Sequence, residues 1–243
     1  MYRGSKAKPS DRQQRVAILI FNLILISFLN LLSSHALNLT NFYIFSLHSW
    51  GITNRVRAIA DTIASEGYNV LIVDCYYGDT LDKTPDLVEF LSKYSYDKIS
   101  KEIGAAIDFL VSKSVDKESI AALGFCWGGW AVAKSASEGV SWKCAVSPHP
   151  SAKVESFIWK NDEAAMFEKC PMPFLLMPAG DDPDNIKPGS PVVDMLEEKG
   201  GKSVPFPRMV HGWTSRGDLS KDEVKEDAEK ALQLATDFIK VNN

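Results

Sequence analysis

The residues that could do chemistry begin with Cys126, a thiol with glycine two positions to either side in Leu123-Gly124-Phe125-Cys126-Trp127-Gly128-Gly129-Trp130. A thiolate in this setting is a nucleophile for acyl transfer. That chemistry also needs a proton carrier and a carboxylate to orient it. Both follow later in the chain, as Asp181-Asp182 and then His211. Each candidate lies just beyond an extended apolar run: Ser119–Leu123 before the cysteine, Met172–Pro178 before the carboxylates and Val204–Val210 before the histidine. Open α/β sheets put their sites at such carboxyl ends of strands.

The elements that must position these residues alternate along the chain. Strands are expected over 42–47, 68–74, 119–124, 144–147, 174–177 and 203–209. Helices are expected over 54–66, 96–114, 128–138 and 192–199. Ile99, Ile103, Ile107 and Leu110 recur at helical spacing. A last amphipathic helix is expected over 219–241, opened by a Ser220-x-x-Glu223 capping box. Strands without strict apolar alternation suit a sheet covered on both faces, so the expectation is an α/β fold, a doubly wound and mostly parallel sheet with helices on both faces. Between strand and helix, Cys126 sits where α/β-hydrolases carry their nucleophile elbow. There a side chain at Gly124 or Gly128 would clash as the strand and helix close up. The Asp79–Tyr94 connection is expected to overlie the site, and 179–191 reads as a loop by its Asp, Pro, Gly and Asn content.

The motifs Gly124–Gly129, Gly180-Asp181-Asp182 and His211-Gly212-Trp213, with Trp50-Gly51, Ile59–Tyr68, Val70–Asp74 and Tyr77-Gly78-Asp79 upstream, resemble the dienelactone hydrolase family over roughly residues 43 to 240. The resemblance implies the α/β-hydrolase fold and a Cys126, Asp182, His211 triad, with Asp181 the alternative acid. It implies an oxyanion hole from the backbone N–H of Trp127 and that of Ser49, or of Trp50 beside it. Two positions depart from the bacterial pattern. His48 stands where that pattern has an acidic residue controlling the nucleophile's protonation, and Tyr77-Gly78 stand near its carboxylate-binding Arg. The substrate-binding candidates are accordingly His48, Trp50, Tyr77, His149 and Arg216. Arg216 reads equally as a carboxylate contact or a surface residue, and His149 as a pocket residue or a loop residue between prolines.

The expected function is hydrolysis of a small ester or lactone, carboxymethylenebutenolidase-like, through a thioester acyl-enzyme. The alternative is a non-catalytic small-molecule-binding protein of the same fold, to which the two departures point. A glutamine amidotransferase also uses a cysteine elbow. Its His and carboxylate stand two apart on one late strand, whereas Gly212-Trp213 follow His211 here.

The chain has 243 residues, 45% hydrophobic and 24% charged, with a net charge of −4. The length suits one α/β domain with a sizeable core. No sustained basic stripe lies outside the N-terminus, so nucleic acid is not an expected partner. The four cysteines show no zinc or redox-pair spacing, and no cofactor or metal is expected. Cys75 and Cys144 read as buried apolar residues.

Residues 1–36 stand apart from the domain expected over 37–243. Arg3, Lys6, Lys8, Arg12 and Arg15 precede the apolar stretch Val16–Leu32 and the cleavage-like Ser33–Ala36. Signal peptide, signal anchor and divergent first exon are three readings of this segment. A genuine targeting segment would make the protein secreted or membrane-anchored, and otherwise it would be cytoplasmic. Membrane contact would be confined to residues 16–32. Asn38-Leu39-Thr40 has the pattern of a glycosylation acceptor.

Overall fold

A computed structural model of the chain describes residues 16–19, 42–46, 51–84 and 86–242. The basic N-terminal stretch, most of the apolar segment, the Ser33–Ala36 and Asn38–Thr40 motifs, and His48, Ser49, Trp50 and Pro85 lie outside the described residues.

The elements run β1 (Val16–Leu19), β2 (Phe42–Ser46), α1 (Asn54–Ser65), β3 (Asn69–Val73), α2 (Leu87–Ser92), α3 (Tyr96–Ser112), β4 (Ile120–Gly124), α4 (Trp127–Ser137), β5 (Ala145–Pro148), α5 (Val154–Phe157), α6 (Glu163–Glu168), β6 (Phe174–Met177), α7 (Pro191–Glu197), β7 (Lys202–Ser203), α8 (Trp213–Arg216) and α9 (Asp222–Asn242). The sheet order is β1-β3-β2-β4-β5-β6-β7, and each of these pairings is parallel. The edge strand β1 comes from within the 1–36 segment and pairs Val16 with Val70.

Parallel neighbours require crossover connections, and these are the helices that cover the sheet. Successive side chains on each strand point to opposite faces. Leu71 and Val73 of β3 pack with Ile120 and Ala122 of β4 into one core, shared with α3, α4, α6 and α7. Val70 and Ile72 join Ala121 and Leu123 in the other, beneath α1 and α9. The sheet is therefore doubly wound and covered on both faces, as the unbroken apolar strands imply. Local signals set the helix ends. The Thr53 hydroxyl accepts from Val56 N–H to cap α1, and Asp162 accepts from Ala164 and Ala165 N–H to cap α6.

Several elements differ from expectation. The strand expected over 203–209 is only Lys202–Ser203, followed by an isolated bridge between Ala179 and Phe206. Pro205 and Pro207 supply no N–H to extend the ladder. The last helix begins at Asp222, because the Ser220 hydroxyl donates to Asp218 Oδ1 at 2.7 Å instead of capping it. The 79–94 connection and the unassigned 151–169 stretch each form short helices, α2 and then α5 with α6. These turns are too short to show a helical period in the sequence.

Candidate active site

The sharp turn from β4 into α4 puts Cys126 at φ 55°, ψ −121°, as the residue preceding the first turn of α4. A non-glycine residue there is strained, and close packing must hold it. A Cβ on Gly124 would lie 2.2 Å from the Gly128 carbonyl oxygen, and one on Gly129 would lie 2.1 Å from Ser147 Oγ. Only glycine lets strand, helix and the end of β5 approach this closely.

Two other strand ends meet the thiol. His211, in the loop after β7, places Nε2 3.1 Å from Cys126 Sγ and Nδ1 2.6 Å from Asp182 Oδ1. The other Asp182 oxygen accepts from Ala179 N–H at 2.7 Å. Asp181 holds a different atom of the same residue, accepting from the His211 backbone N–H at 2.7 Å. Gly180 lets this acidic turn lie against the loop, since a Cβ there would sit 2.3 Å from the Pro207 carbonyl oxygen. The structure therefore brings Cys126, His211 and Asp182 into one chain of contacts, with Asp182 buried and Asp181 exposed.

The electrostatics follow from this arrangement. Burial works to raise the Cys126 thiol. The hydrogen bond and charge of His211, then the Ser151 hydroxyl and the Trp127 N–H, bring it down to about 7. Burial likewise opposes the charged form of His211, but its bonds to Asp182 and Cys126 raise it to about 10. The shifts are in opposite directions, so the shared proton favours the imidazole, and the thiolate–imidazolium pair is the favoured form between about pH 7 and about pH 10.

The remaining candidates are placed as follows. The Trp127 N–H neighbours the thiol, and Arg216 lines the adjoining cavity. His149 is fully buried, with Nε2 2.6 Å from Thr214 Oγ1 and its ring edge-on to His211 at 5.1 Å. It supports the histidine from behind and is not among the cavity-lining residues. Tyr77 is exposed and donates its hydroxyl to Glu102, also away from the cavity lining. Among the described residues, no group of three or more His, Cys, Asp or Glu is arranged to hold a metal.

The cavity of about 790 Å³ above Cys126 has an apolar wall of Leu81, Leu87, Leu91, Val154 and Phe157. Lys153, Lys160 and Arg216 also line it. Glu155 secures the α5 wall from below, accepting from Trp130 Nε1 at 2.6 Å, Lys134 Nζ at 3.1 Å and Asn161 Nδ2 at 3.0 Å. Sequence reasoning placed the 79–94 connection over the site but missed Ser151, Lys153 and Phe157. The strand-end rule could have found Ser151, which follows β5 as Cys126 follows β4.

Residues 44–242 match the dienelactone hydrolase family, from β2 to the end of the last helix. The chain belongs to the dienelactone hydrolase family. It is 28% identical over 125 residues to the human carboxymethylenebutenolidase homolog, an alignment covering 50% of each protein. The chain thus spans about half the length of the curated relatives it matches. A dienelactone hydrolase-like promiscuous phosphotriesterase from metagenomic libraries superposes with a TM-score of 0.62 at 16% identity, covering 82% of this chain and 85% of that one. A dienelactone hydrolase from Anabaena variabilis gives a TM-score of 0.52 at 18% identity, covering 82% and 85%. At such identities the likeness is one of fold. No helix among the described residues is long and apolar enough to cross a membrane.

Proposed function

We propose that this member of the dienelactone hydrolase family hydrolyses small esters or lactones, with Cys126 as nucleophile, His211 as proton carrier and Asp182 as its orienting acid. The observation that carries the reading is the unbroken contact from Asp182 Oδ1 through both ring nitrogens of His211 to Cys126 Sγ, at 2.6 and 3.1 Å. The thiolate attacks the carbonyl carbon, and the resulting oxyanion is met by the Trp127 N–H. His211 gives its Nε2 proton to the departing alkoxide, leaving a thioester on Cys126. Water then attacks the thioester with Nε2 as base, releasing the acid and restoring the thiolate–imidazolium pair. A thiolate is expelled more readily than an amine from a tetrahedral intermediate, so esters and strained lactones suit this site and amides do not.

The experiment is hydrolysis of p-nitrophenyl acetate and a small enol-lactone panel by the parent chain, Cys126→Ala and His211→Ala. Turnover by the parent and its loss in both variants, with circular dichroism unchanged, is the expected result. Variants as active as the parent would overturn the assignment. A folded but inactive parent would favour the binding-protein alternative.

A further inference from the structure

We infer that Ser151 is a further catalytic residue of this site, its hydroxyl donating a hydrogen bond to the Cys126 thiolate and favouring the charged form. The inference rests on the Cys126–His211 reading above. Ser151 Oγ lies 3.3 Å from Cys126 Sγ and 3.3 Å from His211 Nε2, on the cavity side and largely buried.

Its position is tied to the nucleophile. Ser151 N–H donates to the Cys126 carbonyl at 2.9 Å. The preceding Pro150 abuts the elbow helix, where a Cβ on Gly129 would lie 2.9 Å from Pro150 Cβ. His149 N–H donates to the Met177 carbonyl at 2.9 Å, anchoring this loop to the neighbouring strand.

The direction of the Ser151 bond follows from the charge state. In the ion pair, Nε2 carries a proton and cannot accept, so of the two neighbours only sulfur can receive the hydroxyl hydrogen. A hydrogen bond to an ionised acceptor is roughly twice as strong as one to a neutral group, so the contact stabilises thiolate over thiol. Once sulfur is acylated it has no charge to offer, and the acceptor left within reach is Nε2 after its proton has gone to the leaving group. Among the described residues, the titratable and charged groups around the thiol include His211, Asp182, Lys153, Lys160 and Arg216, with His149 behind His211 and Asp181 on the His211 backbone N–H. Of these, His211 contacts the sulfur through its ring.

The test measures iodoacetamide alkylation and kcat/KM against pH for the parent, Ser151→Ala, Ser151→Thr, His211→Ala and Cys126→Ala. Cys75, Cys144 and Cys170 are buried, so labelling of the folded chain reports Cys126. In Ser151→Ala the midpoint of alkylation is expected to rise by about one pH unit, with rates about tenfold lower on its acid side and equal to the parent above pH ~9. Threonine retains the hydroxyl and should keep the parent midpoint. An unchanged midpoint in Ser151→Ala, or an equal loss at every pH, would overturn the inference. Full turnover by Cys126→Ala would instead overturn the reading beneath it.

Discussion

Asp181 and Asp182, adjacent in the chain, hold the same histidine at two different atoms. Asp181 takes the His211 backbone N–H at 2.7 Å from an exposed position, while buried Asp182 takes the ring Nδ1 at 2.6 Å. Asp182→Asn removes the charge that stabilises the imidazolium and should lower kcat by roughly 10²- to 10⁴-fold. Asp181→Asn keeps an oxygen acceptor for the backbone bond, so its loss should be less than about tenfold, as for a change of about 1 kcal/mol in one exposed contact. Steady-state hydrolysis by the two variants checks the division.

The opposed shifts of Cys126 and His211 set the pH profile. Thiolate forms as pH rises, so kcat/KM should climb through about 7. It should fall on the alkaline side as the imidazolium, raised to about 10, loses the proton it gives to the leaving group. Asp182→Asn removes a cause that raises His211 and should bring the alkaline limb to lower pH. A pH–rate profile of each protein measures both limbs, and an alkaline limb unmoved by that substitution would contradict the assignment.

Gly124→Ala tests the elbow packing. The added Cβ would meet the Gly128 carbonyl at 2.2 Å, backbone that a rotamer change cannot relieve. Overpacking of this kind costs about 1–3 kcal/mol, and each kcal/mol lowers Tm by roughly 2–4 °C in a chain of this size. Calorimetry should show that loss, accompanied by slower Cys126 alkylation as the turn relaxes.

The cavity wall also has a charge preference. Lys153, Lys160 and Arg216 line it, and no Asp or Glu is among the described lining residues. An ester bearing a carboxylate should therefore be turned over faster than its neutral methyl-ester analogue. That advantage should shrink as salt rises and screens the exposed cations. A preference independent of ionic strength, or one unchanged in Lys153→Ala/Lys160→Ala, would count against these side chains as its source.

Much of the fold was legible because its local determinants are local. The β3 and β4 runs are apolar on consecutive residues since both faces are covered, and Phe174–Met177 forms the strand its composition implies. The helix over 96–112 follows from isoleucines at helical spacing. Where the reading overran, at 203–209, two prolines limit a ladder that side-chain pattern alone would continue. The short helices at 87–92, 154–157 and 163–168 have too few residues to carry a period, and burial of Phe90, Leu91, Val154, Met166 and Phe167 in the core shared with α3, α4 and α7 supports them.

The sequence by itself determined the order of Cys126, Asp182 and His211, their places after apolar runs, and the glycines around Cys126, because residue type and order are written along the chain. Only the tertiary structure decided that Asp182 and not Asp181 reaches the imidazole ring, that His149 is sealed behind His211, and that Ser151 touches the thiol. The ring contact depends on how a turn directs two neighbouring side chains. The other two depend on how the segments after β4, β5 and β7 converge, a distance relation that no spacing along the chain encodes.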